Sequence, residues 1–185
     1  MRIIRPLFIV VFLFGCKNQT NEYIQKFENI LGERKTKALD LLVFDFENNL
    51  DKVYPNISLQ KAYEQYLKDL IDPKETDWDK FRFLSDETRA EFENSGLKKE
   101  VYNLELEFVE EKKDSLLTYY SNGVGKYMRA IYEIKEHDTL MMEYYKRREI
   151  GGLMQNEIFV NGILHFRPDF NNYFHKRIVV IEFTY

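Results

Sequence analysis

Leu39-Asp40-Leu41-Leu42-Val43-Phe44-Asp45-Phe46-Glu47-Asn48-Asn49-Leu50-Asp51-Lys52-Val53 is the most regular stretch of this 185-residue chain. Leu39, Leu42, Val43, Phe46, Leu50 and Val53 recur at the three- and four-residue steps of one helix face, with acids and amides between them. Pro55 ends the pattern, because a proline has no N–H to continue the hydrogen-bond ladder. Upstream, Tyr23, Phe27, Ile30 and Leu31 share a face from Glu22 onward. Gly32 stands between the two runs. A glycine inside a helix costs only about 1 kcal/mol relative to alanine, so one helix or two is compatible with this spacing. Downstream, Ser58 can cap a helix that buries Leu59, Tyr63, Tyr66, Leu67 and Leu70, with Pro73 closing it.

The same signals recur further along. Thr76 or Asp77 can cap a short turn carrying Trp78 and Phe81. Ser85, followed by Asp86 and Glu87, reads as a helix start with acids at the positive end of the dipole. Phe92 lies inside, and Ser95-Gly96 is a stop. From Leu97 to Ser121 the period changes. Leu104, Leu106 and Phe108 alternate with Asn103, Glu105 and Glu107, which predicts a small extended segment. Asn122 can cap a helix with Tyr127, Ala130, Ile131 and Ile134 inside. Asp138 can cap another with Met141, Tyr144 and Tyr145 inside. That helix ends in Lys146-Arg147-Arg148 before Gly151-Gly152, cations at its negative end and glycine at its stop. A further helix covers Leu153 to His165. Residues 177–184 fit two periods. Ile178-Val179-Val180-Ile181 suits a strand, whereas Phe170, Phe174, Ile178, Ile181 and Tyr185 form a helical stripe. Pro168-Asp169 just before them favours helix. The expected fold class is therefore all-α, an irregular helical bundle of about six or seven helices with one short extended segment near 103–110.

The first sixteen residues follow different rules. Arg2 and Arg5 precede an unbroken apolar run, Leu7 to Phe14, and then Gly15 and Cys16. A charged start, a short apolar run and a small residue form the layout of a secretory signal. Spanning a bilayer takes roughly 20 apolar residues, and this run is too short to do so. Cys16 is the only cysteine in the chain. Leu13-Phe14-Gly15-Cys16 resembles the lipobox of bacterial lipoproteins, with Phe14 bulkier than is usual at its place. The resemblance implies cleavage between Gly15 and Cys16 and a diacylglyceryl thioether on Cys16. Two or three acyl chains, at about 0.8 kcal/mol per buried CH₂, hold such a protein on a membrane. The expected division is a signal peptide at 1–15, a lipidated polar tether at 16–21 and one helical domain at 22–185. The whole is similar to the short lipoproteins of the Bacteroidota. Lys17, where an aspartate would resemble an inner-membrane retention signal, implies the outer membrane. The non-acidic Lys17-Asn18-Gln19-Thr20-Asn21 implies a periplasm-facing domain. Asp114-Ser115-Leu116 and Asp138-Thr139-Leu140 resemble the O-glycosylation motif of exported proteins in that phylum, which would place glycans on Ser115 and Thr139.

Composition narrows the function classes. The formal charge is −4, and losing Arg2 and Arg5 with the signal takes it to −6. An acidic chain lacks the dense basic footprint that nucleic acid needs. Asn122-Gly123-Val124-Gly125-Lys126 invites a phosphate-loop reading. Such a loop needs glycine six residues before its lysine and a hydroxyl residue after it, and Tyr120 and Tyr127 stand there instead. A helix cap with a tight entry suits it better. His137, His165 and His175 lack the spacing of metal ligands, and although His165, Arg167 and Asp169 lie close in sequence, no Ser or Cys is near them. The expectation is thus no metal, no cofactor and no catalytic residue. The 13 tyrosines and 15 phenylalanines suit core packing on helical stripes better than a recognition surface. Three functions stay open. One is a non-enzymatic binding or scaffold module at the cell envelope, with a protein or glycan partner. Another is a wall- or glycan-acting enzyme. An envelope immunity protein against a toxin also fits the size and acidity.

Overall fold

The structure, a computed structural model, describes residues 15–109 and 114–184. The signal-peptide reading of residues 1–14 lies outside them. The chain is an all-α bundle carrying one β-hairpin. Its elements are α1 (Gly15–Leu31), α2 (Glu33–Val53), α3 (Leu59–Leu70), α4 (Asp86–Asn94), α5 (Leu97–Val101), β1 (Tyr102–Val109), β2 (Asp114–Ser121), α6 (Lys126–Ile134), α7 (Thr139–Gly151), α8 (Asn156–His165) and α9 (Tyr173–Glu182). Short 3-10 turns occupy Trp78–Phe81 and Lys135–His137.

More helices are described than the six or seven expected, for two reasons. Gly32 does break the first run. It takes φ +90°, its N–H closes α1 on Glu28 O at 2.7 Å, and its carbonyl accepts the first bond of α2 from Thr36 N–H at 3.0 Å. The five-residue α5 was not legible as a separate helix. α1 also begins at Gly15, so residues 16–21, expected as a tether, form its first turns.

The long α2 is the centre of the bundle. Leu39, Leu42, Val43, Phe46 and Leu50 are buried as their spacing predicts, against α1, α3, α4, α5 and α9. Phe46 packs its ring on Tyr63, Tyr66 and Phe83 with centroids 4.7–5.1 Å away. Three caps fall where the sequence puts them. Ser58 Oγ accepts from Lys61 N–H at 3.4 Å, Ser85 Oγ from Thr88 N–H at 3.2 Å, and Asp138 Oδ1 from Met141 N–H at 3.0 Å.

The C-terminal segment is the helix α9. Ile178, Val179, Val180 and Ile181 are all buried, along with Phe174. A helix enclosed on all sides has no polar face to reveal its period, which is why these residues also read as a strand.

β1 and β2 pair antiparallel, with Leu104 opposite Tyr119, Leu106 opposite Leu117 and Phe108 opposite Ser115. The expected extended segment is thus one arm of a hairpin. Its partner strand, Asp-Ser-Leu-Leu-Thr-Tyr-Tyr-Ser, lacks alternation and gave no signal.

α6 departs from the expected cap. Asn122 does not cap it. Its Nδ2 donates to Lys99 O at 2.7 Å, and its Oδ1 accepts from Val124 N–H at 3.3 Å. The N-cap position is Gly125, and the capping acceptor comes from another helix, Glu100 Oε2, 2.7 Å from Lys126 N. α1 and α6 run antiparallel. Tyr23 stacks on His137 at 3.7 Å, Lys26 pairs with Glu133 at 2.7 Å, and Phe27 meets Tyr127 edge-on at 6.3 Å. The start of α1 therefore lies beyond the C-terminal end of α6, and the hairpin root adjoins α6's N-terminal end.

Candidate functional site

Two buried polar clusters deserve a chemical test before the surface does. Arg148 and Glu182 form an ion pair with almost no exposure, between the end of α7 and the end of α9. Tyr144 donates to Glu182 Oε1 at 2.7 Å and accepts from Arg148 Nη1 at 3.1 Å. Arg148 Nη2 donates to Val101 O at 3.3 Å. The rings of Tyr102, Tyr127 and Tyr144 enclose the guanidinium, with centroids 5.7–5.9 Å from Cζ. Burial pushes the Tyr127 hydroxyl up to about 12 and raises Tyr144 as well. The sequence places Arg148 among the cations at the end of α7, where it is found, and its burial is what only the structure shows. Its neighbour Arg147 stays part-exposed and pairs with Glu143 at 2.7 Å.

This cluster bolts the hairpin root to the core. Arg148 holds the Val101 carbonyl. The Tyr102 hydroxyl donates to Ile181 O and lies 3.0 Å from Thr184 Oγ1. Tyr144 lines a small pocket against α8 and Tyr102 lines a groove at the hairpin root, whereas Arg148 and Glu182 line neither. Its chemistry is structural, a way of fixing where the hairpin emerges.

The second cluster is His175 with Asp138. His175 Nε2 lies 2.8 Å from Asp138 Oδ2, and Nδ1 accepts the Asp169 N–H at 3.0 Å. Accepting at Nδ1 puts the ring proton on Nε2, which donates to the carboxylate. Both nitrogens are therefore engaged inside the protein, and neither faces a substrate. His137 is stacked on Tyr23, and His165 sits at the end of α8 beside Phe166. The three histidines do not converge. Among the described residues no group of three or more His, Cys, Asp or Glu is placed to hold a metal.

Asp138 sets a pH dependence. Burial pulls its pKa upward, but the hydrogen bonds from His175 and the Met141 N–H together outweigh burial and hold the carboxyl below its ordinary range. A carboxyl that is more acidic when folded stabilises the fold at all pH values above its unfolded pKa, about 3.9. That stabilisation is lost as pH falls through the folded value. Asp138→Asn keeps a capping oxygen but no charge. Its stability deficit is expected to shrink below about pH 4, as the wild-type carboxylate protonates. Urea melts at stepped pH check this, and a deficit that grew as pH fell from about 4 to about 2 would contradict it.

The surface offers more. Leu104, Leu106 and Leu117 are 52%, 68% and 58% exposed. The register puts them on one face of the hairpin, continuous with the ring of Tyr119. Asn103 and Glu105, on the other face, are exposed too, so this part of the hairpin stands clear of the body. A lone two-stranded hairpin is marginal in water, and a contiguous apolar face on one is a mark of an interaction surface. At its root a groove of about 380 Å³ opens between α5 and the sheet, lined by Lys98, Lys99, Tyr102, Leu104 and Tyr119 among others. A second groove, of about 420 Å³ at the α1–α2 corner, is lined by Glu33 paired with Lys37, Asp40 paired with Arg177, and Glu28, which accepts from the Tyr173 hydroxyl at 2.8 Å. Sequence reasoning missed the hairpin face as a site. The signal was there in the alternation, but alternation ordinarily marks a strand whose apolar face is covered.

Of the other residues singled out by sequence, Thr139 is exposed as the first residue of α7. Ser115 lies in β2 opposite Phe108. Cys16 is the second residue of α1, and Gly15 the first. No helix among the described residues is long and apolar enough to cross a membrane.

No family model, curated protein or solved structure matches the chain.

Proposed function

We propose that this chain is a lipid-anchored, non-enzymatic binding module of the cell envelope that engages a protein partner through its β-hairpin. The observation that carries the proposal is the exposed apolar face of Leu104, Leu106 and Leu117 on an arm rooted in the core. Further support comes from the chain's ends. The lipobox-like Leu13-Phe14-Gly15-Cys16 supplies the anchor, with cleavage between Gly15 and Cys16 and lipid on Cys16. Lys17 and the non-acidic residues after it fit an outer-membrane protein facing the periplasm. Because α1 and α6 are antiparallel, the hairpin root and Cys16 sit at opposite ends of that helix pair. A hairpin at the far end from its anchor meets partners rather than the anchoring bilayer.

Two measurements test this separately. Labelled palmitate is expected to enter the wild type and not Cys16→Ser, whose precursor persists uncut because lipoprotein cleavage requires the lipid first. A wild type that takes up no label, or a mature N-terminus other than Cys16, would remove the anchor. For the arm, a photo-crosslinking residue at position 106 in growing cells is expected to capture a discrete partner. The same residue at the exposed position 61 of α3 is expected to capture none. Equal capture at both positions would remove the hairpin as the binding surface.

A further inference from the structure

We infer that the hairpin takes an extended peptide strand, with alternating apolar side chains and a carboxylate at the end that lies over the hairpin root. This rests on the hairpin's being the binding surface, and names what binds there. Three features of the arm argue for it.

The first is the floor. Leu104 and Tyr119 are paired across the two strands, and the apolar surface continues from them to Leu106 and Leu117. Leu104 and Leu106 are two residues apart on one strand, a repeat of roughly 6.6–6.8 Å. A second extended chain lying alongside presents its own alternate side chains at the same repeat.

The second is the edge. The sheet has two strands, so each strand has one edge without a β partner among the described residues. The root groove is lined by two consecutive residues of β1, Asn103 and Leu104. Main-chain hydrogen bonds along such an edge supply affinity, and pockets for alternate side chains supply specificity.

The third is the charge. Lys98 and Lys99 form one wall of the groove. Lys98 Nζ lies 5.1 Å from the Tyr119 ring centroid and 2.5 Å from Glu93 Oε1. Lys99 is exposed and makes no ion pair among the described residues. Two cations against one anion make this groove locally positive in a chain whose formal charge is −4. An acidic group at the end of the incoming strand meets that excess. A lipid surface is a poorer occupant. Glu105 is exposed between Leu104 and Leu106 on β1, and a charged group is costly to bring into hydrocarbon.

The test uses the full chain in detergent solution and fluorescein-labelled peptides read by anisotropy. The probe is Ser-Val-Ser-Val-Ser-Val-Asp-Asp. One control ends in two lysines instead, and a second carries N-methyl groups on alternate amides. The acidic probe is expected to bind at least about tenfold tighter than the lysine-ended one. Lys98→Glu with Lys99→Glu should invert that order, and N-methylation or Leu106→Asp should abolish binding. All three substitutions alter exposed or half-exposed side chains, and unchanged thermal melts establish that the variants are folded. Failure of the acidic probe to bind, indifference to the sign of the end charge, or undiminished binding of the N-methylated peptide would overturn the inference. Position-106 crosslinking that persisted in any of these cases would leave the hairpin reading standing. Sedimentation that showed a dimer dissociated by Leu106→Asp would instead make a second copy of this chain the occupant.

Discussion

Arg148→Met is expected to destabilise the fold by about 3–5 kcal/mol, because it strands the Glu182 carboxylate in the core without its cation. Glu182 is about 2% exposed, and its Oε2 has no hydrogen-bond partner among the described residues. The carboxylate then keeps only the Tyr144 hydroxyl on Oε1. Removing both partners is a different matter. In Arg148→Met with Glu182→Leu, apolar groups of similar reach replace two desolvated charges, and such replacements are often neutral or stabilising. The double variant is expected to recover most of the loss, giving a coupling energy of about 2 kcal/mol or more. Urea melts of the four members of the cycle measure it. A cost below about 1 kcal/mol for Arg148→Met alone would mean that the pair is not desolvated as described. The single variant also loses the donor to Val101 O. Amide exchange in β1 and β2 should therefore rise above that of the helices, as the hairpin root loosens.

Gly125→Ala is expected to cost about 3 kcal/mol, the upper part of the range for forcing an atom into a filled space. A Cβ at Gly125 would lie 2.1 Å from Glu100 O and 2.8 Å from Glu100 C. These are backbone atoms, and no rotamer change relieves them. Either the end of α5 or the start of α6 has to move. Movement of either breaks the bonds that join them, Glu100 Oε2 to Lys126 N–H and Val101 O to Asn122 N–H at 2.9 Å. For a domain of this size the melting temperature should fall by about 6–12 °C. Gly123→Ala is the control, since nothing lies within 4 Å of its would-be Cβ. It is expected to change stability by less than about 0.5 kcal/mol. Equal effects at the two glycines would refute the close approach at Gly125.

Asn122-Gly123-Val124-Gly125-Lys126 shows how far local pattern carries. The glycines announced a tight helix start, and there is one. The sequence also suggested Asn122 as its cap, by the rule that a side-chain oxygen next to a helix start accepts from the first turn. The rule failed because Glu100, 26 positions before Lys126, supplies the acceptor. The caps that were legible, Ser58, Ser85 and Asp138, all bond three residues ahead, within reach of any local reading.

The sequence by itself determined that the chain is helical, where most helices start and stop, and which face of α2 is buried. Hydrophobic period and capping are properties of neighbours in the chain, and Leu39, Leu42, Val43, Phe46 and Leu50 carry them openly. It also showed that residues near 103–110 change period. Only the tertiary structure decided which polar groups are buried and which apolar ones are not. Arg148 and Glu182 are 34 positions apart, and Asp138 and His175 are 37. A charge is stable in the core only when its partner is brought to contact distance, and that distance is set by the packing of α7 against α9, not by either residue's neighbours. The exposure of Leu104, Leu106 and Leu117 has the same origin. Alternation says that a strand has an apolar face, but whether anything covers that face depends on where the rest of the chain goes, and here it leaves the hairpin bare.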